Sequence, residues 1–219
     1  MAFGATPLDS GNIPIGSVYV PGTGFKALQG GTLFTDASSN DSAPARMEIV
    51  GGSKATYAYS ASAIATFTAV TDLVVLRGSA TKTVKVVRVE LSGAATAATE
   101  TLWYLKKHTI ANTGGTSTNP TPVKYDSNDG AATALVLLYT ALPTIDASAV
   151  NVRAVRIDLA VAPAASTVAI DRYVIEFGLN GGEPIVLRGV AQEFAFNLGG
   201  GTIPSGEVAD CTIVWTEEG

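Results

Sequence analysis

The chain has 219 residues, a formal net charge of −5 and one cysteine, so it can bury a substantial core but cannot form an internal disulfide or a cysteine-based metal site. An isoelectric point of about 4.8 argues against nucleic-acid binding, which needs a clustered basic surface. No apolar run reaches the ~20 residues of a membrane span, and the first residues do not resemble a signal peptide. We therefore expect a chain that is made in the cytoplasm and stays soluble or enters a particle there.

The proportion of charged residues is low, at 15% against about 25% in an average soluble protein. A free monomer normally relies on surface charge for solubility. Two interpretations stay open. The composition is either a general Ala and Thr bias, or the mark of a surface that partners largely cover.

The first 60 residues differ in composition from the rest and predict an extended N-terminal arm. Residues 1–41 are rich in Gly, Pro, Ser and Asn, and three prolines prevent a long strand or helix there. Short apolar islands predict segments that dock on the chain's own domain or on a neighbouring subunit. The candidate docking residues are Ile13, Ile15, Val18, Tyr19 and Val20. Residues 46–50 and 55–58 predict short strands that lead into the main domain.

Residues 61–219 predict closely spaced strands and no helix, because apolar and polar residues alternate with a period of two. In residues 83–91, Val87, Val89 and Leu91 share one side, while Arg88 and Glu90 share the other. The same pattern predicts strands at 65–70, 73–76, 99–107, 135–140, 152–161, 170–177, 185–187, 192–198 and 207–217. The inward-facing residues of three of them are Val155, Ile157, Leu159 and Val161; Tyr173, Ile175 and Phe177; and Cys211, Ile213 and Trp215.

The number of strands and their irregular spacing predict the fold class. Eight or more strands joined by loops of very different length favour an all-β protein, a two-sheet antiparallel β-sandwich of jelly-roll type. An up-and-down barrel is the weaker alternative. We therefore predict an arm at 1–60 and a jelly-roll domain at 61–219.

Few residues are candidates for chemistry. His108 is the only histidine, so an imidazole-based site would need it, but a solvent-facing residue at a strand end is the preferred interpretation. Asp126–Gly130 partly resembles a calcium-binding loop, yet its glycine is misplaced and no bidentate Glu follows at the expected distance. A turn stabilised by Asx side chains is therefore the preferred interpretation. We predict no catalytic, cofactor-binding or metal-binding residue, and no enzymatic activity.

Two other features are candidate contacts with a partner. The polar loop at 109–125 is long, and loops of this length are usually functional or interface-forming. Most aromatic residues have strand spacing and are interpreted as core, with Tyr57 and Tyr59 as the exceptions that could face a partner.

Four segments resemble a group of tailed-bacteriophage and prophage proteins. They are GSATKTVKVVRVELSG at 78–93, HTIANTGGTSTNPTPVKYDSNDGAATA at 108–134, PIVLRGVAQEFAFNLGG at 184–200 and CTIVWTEE at 211–218. The resemblance covers about residues 60 to 218, and its specificity comes from the ordered set of motifs. It implies a virion structural protein with a jelly-roll (TNF-like) β-sandwich that assembles as a homotrimer.

The resemblance leads to an expected function. We expect a capsid decoration (cement) protein that binds the assembled head of a bacteriophage, with itself and the major capsid protein or other virion proteins as partners. It would be made in the host bacterial cytoplasm and located in the virion, without cofactor, nucleic acid or membrane. The alternative is a tail-fibre, baseplate or head-fibre component that binds a host surface glycan. A secreted carbohydrate-binding module is disfavoured by the missing signal peptide.

Overall fold

The computed structural model describes residues 17–20, 24–27, 54–161, 171–179, 182–199 and 202–219. These residues belong to two compact units, Met1–Ser53 and Lys54–Gly219. Two of the predicted docking residues, Ile13 and Ile15, and the predicted strand at 46–50 lie outside the described residues.

The described part of the first unit is one antiparallel strand pair. Strand β1 (Ser17–Val20) pairs with β2 (Gly24–Ala27), and Val20 lies opposite Gly24. The other three predicted docking residues, Val18, Tyr19 and Val20, therefore lie in β1. An isolated two-stranded pair is marginally stable in water, so the docking of this segment stays a prediction.

The second unit contains twelve strands among its described residues. They are β3 (Ala55–Ala65), β4 (Asp72–Arg77), β5 (Thr83–Ala95), β6 (Thr99–His108), β7 (Thr116–Thr118), β8 (Val123–Lys124), β9 (Leu135–Ala141), β10 (Val150–Val161), β11 (Tyr173–Glu176), β12 (Ile185–Arg188), β13 (Glu193–Leu198) and β14 (Val208–Glu218). The unit begins at Lys54 and not at residue 61, because β3 pairs with β14 along most of its length.

The strands form two sheets. The first sheet has the order β7-β9-β4-β13-β6-β10, and the second has β8-β3-β14-β5, with β11 and β12 on the far side of β5. All pairs are antiparallel except at the end of β10, where Ala160 and Val161 run parallel to Ala94 and Ala95 of β5 and connect the two sheets. The prediction of an all-β, two-sheet antiparallel β-sandwich is confirmed. The jelly-roll subtype stays a prediction.

Large aromatic side chains fill the space between the sheets. Trp103, Trp215, Tyr57, Phe194 and Phe196 are the largest fully buried residues. Tyr57 lies opposite Trp215 in the register of β3 and β14, and the two rings stack with centroids 5.9 Å apart. Tyr59 is also buried, so the prediction that Tyr57 and Tyr59 face a partner is wrong. They are core residues because β3 is a full member of the second sheet.

The alternation along β5 changes phase at one residue. Val89 and Leu91 are buried as predicted, but Val87 is only half-buried, and the buried positions before it are Val84 and Val86. The register with β14 shifts at this point, since Val214 lies opposite Arg88 and the next residue lies opposite Val86. Val87 is therefore the extra residue of a β-bulge, which lets β5 bury even positions before it and odd positions after it.

The backbone of Ala63 is strained. Its φ is 52°, in the left-handed region that non-glycine residues rarely adopt, and its N–H donates to Asp210 Oδ1 at 2.7 Å where the register shifts between Ala209 and Cys211. We expect Ala63→Gly to raise the free energy of unfolding by about 0.5–1 kcal/mol, because glycine avoids this strain. Ala61→Gly, in the regular part of β3, should lower it by a similar amount. Urea denaturation measures both variants. A lower free energy of unfolding for both would contradict the inference that Ala63 is strained.

The single cysteine is inaccessible. Cys211 lies in β14 between the sheets, and burial raises the pKa of its thiol to about 12. Because the thiolate is the reactive form, we expect no reaction of the native chain with a chromogenic disulfide reagent at pH 8. After unfolding in urea one thiol per chain should react. Full reaction of the native protein within minutes would contradict this burial.

Candidate functional site

Two strand edges on one side of the sandwich lack a partner among the described residues. Strand β10 pairs with β6 along Val150–Leu159, but no described strand pairs with the other side of this segment. Strand β11 pairs only with β5. A groove of about 690 Å³ lies between the two edges, and it is lined by β10 residues 153–156 and β11 residues 173–176. Unpaired backbone N–H and C=O groups on such edges are templates for pairing with another chain.

Apolar side chains are exposed beside this groove. Tyr173 is 39% exposed and Val174 45%, and both line the groove. Val161, which is not part of its lining, is 45% exposed. Tyr173 and Val161, predicted to face inward, lie opposite the buried residues Leu91 and Ala95, but both are exposed. Val161 lies at the end of β10, where the strand has left the first sheet to pair with β5, and Tyr173 begins an edge strand. The predicted inward residues Val155, Ile157 and Leu159 are buried.

The charged residues near the edges are arranged in cross-strand pairs. Arg156 on β10 pairs with Glu100 on β6, and Arg172 pairs with Glu90 on β5. Asp158 is exposed and lies directly opposite Glu100 in the register of β10 and β6. Two carboxylates directly opposite on one face destabilise a strand pair, so the charge of Asp158 is poorly compensated within one chain.

A second, smaller groove of about 240 Å³ lies on the outer face of the second sheet. Its lining is rich in hydroxyl and charged groups: Ser60, Ser62, Ser92, Thr212, Glu90, Arg172 and Asp210. Ser60 and Thr212 exchange a hydrogen bond at 2.8 Å, and Ser92 Oγ donates to Asp210 Oδ2 at 3.3 Å. Such a surface offers donors and acceptors for a polar ligand.

The single histidine is fully buried, so the prediction of a solvent-facing His108 is wrong. Its Nε2 lies 3.2 Å from Asp72 Oδ2, and neither ring nitrogen has a hydrogen-bond partner among the described residues. The loop that follows β6 folds back, because Thr113 and Thr144 form a β-bridge, and Asn112 of this loop donates a hydrogen bond to the same Asp72. With no exposed surface, His108 is screened from any substrate in solution.

Asp72 is the centre of a buried polar cluster around His108. Its Oδ1 accepts a hydrogen bond from Asn197 Nδ2 at 2.7 Å, and its Oδ2 accepts one from Asn112 Nδ2 at 2.6 Å. All four residues of this cluster are buried. A buried carboxylate is tolerated only when such donors replace its water shell.

A partly buried ion pair, Arg77 with the fully buried Glu193, holds the same loop from its backbone. Arg77 Nε donates to Glu193 Oε1 at 2.7 Å, and the backbone N–H of Asn112 donates to Glu193 Oε2 at 2.9 Å. Asn112 therefore connects two buried carboxylates, one through its side chain and one through its backbone. The cluster fastens the loop after β6 to the outer face of the first sheet.

This cluster has almost no local signature in the sequence. Asp72 begins a strand that is otherwise almost entirely apolar, and this was the one available hint of a buried polar group. Its partners Asn112 and Asn197 are separated from it by 40 and 125 residues, respectively. Only the strand order brings them together.

The segment Asp126–Gly130, which partly resembles a calcium-binding loop, is a turn. The backbone N–H of Asn128 donates to Asp126 Oδ1 at 2.9 Å, which is the Asx turn that the sequence favoured. The described residues contain no group of three or more His, Cys, Asp or Glu side chains arranged to hold a metal ion. Nor does the described part of the chain contain a helix long and apolar enough to cross a membrane.

Comparisons with protein-family models, with curated proteins and with solved structures find no match for this chain. The surfaces of the second unit and the residues themselves are therefore the basis for a functional proposal. Within that unit, the open side of the sandwich between β10 and β11 is the surface best suited to bind another chain.

Proposed function

We propose that this protein is a non-enzymatic structural protein of a bacteriophage virion, a decoration (cement) protein that binds and stabilises the assembled head. The observation that carries the proposal is the open side of the sandwich, where two unpaired strand edges and exposed apolar residues flank one groove. The four segments that resemble phage and prophage proteins give the class of particle. The low proportion of charged residues agrees with a surface that partners cover.

The strand connections also support the virion interpretation. Consecutive strands β3, β4, β5 and β6 alternate between the second and the first sheet, and β13 and β14 do the same. Pairing between strands distant in sequence favours a jelly roll, a fold that occurs in viral capsid proteins. We further propose that the domain forms a homotrimer through one sheet. Light scattering at micromolar concentration tests this, and a monomeric mass would contradict it.

The proposed mechanism is thermodynamic. Contacts that form only in the assembled head lower the free energy of the assembled state by mass action, and they oppose the pressure of the packaged DNA. The N-terminal arm, with Ile13, Ile15, Val18, Tyr19 and Val20, is proposed to extend this contact to adjacent capsid subunits. Deletion of residues 1–41 should then reduce incorporation into virions, and unchanged incorporation would contradict the role of the arm.

The experiment that tests the function is the copy number of the protein in purified virions, measured by quantitative mass spectrometry against the major capsid protein. A near-stoichiometric ratio is expected for a decoration protein. Particles that lack the protein should also release their DNA at a lower temperature. A ratio of a few copies per particle would contradict the proposal and place the protein in the tail or in a fibre.

A fibre or baseplate component that binds a host glycan is the second candidate. The small groove with Ser60, Ser62, Ser92 and Asp210 favours it, because hydroxyl and carboxylate groups are suited to hydrogen bonds with a sugar. A low copy number together with binding to host-cell polysaccharide, lost in a Ser60→Ala/Ser92→Ala variant, would favour this alternative.

A further inference from the structure

We propose that the free edges of β10 in two copies of this chain pair antiparallel about a two-fold axis at Ile157, so that the first sheets of both copies form one continuous sheet. This inference deepens the proposed function, because it specifies a contact by which neighbouring copies would join. It rests on the proposed function only for the role of that contact. A pairwise edge contact is compatible with a trimer formed through a different surface.

The edge has the properties that strand addition requires. Among the described residues, Val150–Leu159 has a partner only on the β6 side, and the register with β6 is regular from Arg153 onward. The exposed residues of this regular stretch are Arg153, Ala154, Arg156 and Asp158. The groove beside residues 153–156 leaves room along the edge for an additional strand. An added strand would satisfy backbone groups that have no partner strand among the described residues.

Charge selects both the occupant and the register. In an antiparallel pair centred on Ile157, Arg156 of one copy lies opposite Asp158 of the other, and the two-fold axis generates this contact twice. A shift of the centre by one residue in either direction places Arg156 opposite Arg156, or Asp158 opposite Asp158. Opposite charges directly across a strand pair stabilise it, and like charges destabilise it. Only one of the three registers is therefore favourable.

The second copy also supplies what a single chain lacks. Asp158 lies opposite Glu100 within the chain, and the only cation paired there, Arg156, is bound to Glu100. In the two-fold pair, Arg156 of the other copy approaches Asp158 and compensates its charge. An edge that complements itself in this way points to another copy of this chain as the occupant.

The inner side of the same strand is compatible with the contact. Val155, Ile157 and Leu159 are already buried against the core of their own sandwich. In the proposed register, Val155 lies opposite Leu159 of the other copy, and Ile157 lies opposite its symmetry equivalent. The apolar row of one sheet thus continues into the next.

Disulfide cross-linking tests the register directly. Directly opposite residues have Cα atoms about 4.5–5.5 Å apart, within disulfide range, whereas diagonal neighbours are about 7–8 Å apart. An oxidised equimolar mixture of the full-length variants Arg156→Cys and Asp158→Cys should therefore form covalent dimers, and each variant alone should form few. Thr118→Cys, on the β7 edge at the other end of the first sheet, is the background control.

Two outcomes of the cross-linking would overturn the proposal. One is a yield from the mixture no higher than that from Thr118→Cys, and the other is an equal or greater yield from Arg156→Cys alone, which would indicate a different register. Cys211 does not interfere, because it is buried.

Charge reversal tests the energetics. Arg156→Asp and Asp158→Arg should each weaken self-association about tenfold by sedimentation equilibrium, and the double variant should restore it, because each reversal places like charges opposite one another twice. Glu100→Gln removes the pair within the chain but not the proposed contact, so it should associate at least as tightly as the wild type does. Equal weakening by Glu100→Gln, or no recovery in the double variant, would overturn the proposal. Neither result depends on the copy number in virions, so the edge contact and the decoration function can fail separately.

Discussion

Replacement of Asp72 by alanine is expected to lower the free energy of unfolding by about 3–5 kcal/mol, the cost of removing one partner from a buried, charged hydrogen-bond network. Its carboxylate accepts hydrogen bonds from the side-chain amides of Asn112 and Asn197, and it lies within 3.2 Å of His108 Nε2. All of these groups are buried. Without Asp72, both amides would keep the cost of leaving water and lose their acceptor.

A conservative variant and a surface control separate charge from volume. Asp72→Asn keeps the shape of the side chain but has one carbonyl oxygen for two amide donors. Its free energy of unfolding should therefore lie between those of the wild type and the alanine variant. Glu183→Ala removes an exposed carboxylate from the loop between β11 and β12, and it should change the free energy of unfolding by no more than about 0.5 kcal/mol. Urea denaturation measures all three variants at neutral pH.

A second measurement tests whether Asp72 fastens the loop after β6. Hydrogen exchange should show the backbone N–H of Asn112 protected in the wild type, because it donates to the buried Glu193. In Asp72→Ala this protection should fall more than that of the β5 core. A uniform fall across the whole unit, or no change at Asn112, would contradict the role of the cluster as a local fastening.

The strands could be predicted from the sequence because their period of two is a local property. Val155, Ile157 and Leu159 alternate with charged residues and are buried as the pattern predicts. The same rule fails at Val87, because a bulge adds one residue and changes which face the following residues occupy. The bulge depends on how β14 aligns with β5, and the hydrophobic pattern of one strand does not contain that alignment.

The surroundings of individual residues were less predictable, because they depend on contacts distant in sequence. His108 ends a strand and follows two lysines, which is the local pattern of an exposed residue, yet it is fully buried beside Asp72, which is 36 residues away in the sequence. Tyr57 lies near the predicted arm, but its position beside Trp215 follows from the pairing of β3 with the last strand. Nor could the edge of β10 be foreseen, since an edge that has no partner among the described residues is defined by how all the other strands pair.

The second large effect is expected at Glu217, near the end of β14. Its carboxylate is buried and accepts hydrogen bonds from Thr133 Oγ1 at 2.6 Å, from the backbone N–H of Ala134 at 2.9 Å and from Trp215 Nε1 at 3.2 Å. Lys82 Nζ lies 3.7 Å from Oε2. The carboxylate thus holds the segment before β9 against the last strand of the other sheet. Glu217→Gln replaces one acceptor oxygen with an NH₂ group that faces donors, so we expect a loss of about 2–3 kcal/mol at pH 7.

The effect of Glu217→Gln should depend on pH. Burial by itself would raise the pKa of Glu217, but the hydrogen bonds from Thr133, Ala134 and Trp215 outweigh it and lower the pKa below its ordinary value. Because the pKa is lower in the folded state, the stabilisation is fully present above the unfolded value of about 4.3 and is lost as the pH falls through the folded value. Urea denaturation from pH 7 to pH 3 should therefore show that the difference in free energy of unfolding between wild type and Glu217→Gln shrinks in acid.

Glu218→Gln is the matched control, since Glu218 is partly exposed and pairs with Lys54 and Lys85. This variant should lower the free energy of unfolding by no more than about 1 kcal/mol. Equal losses for the two variants at pH 7 would contradict the role of the buried carboxylate, because they would mean that its hydrogen bonds contribute no more than a surface ion pair.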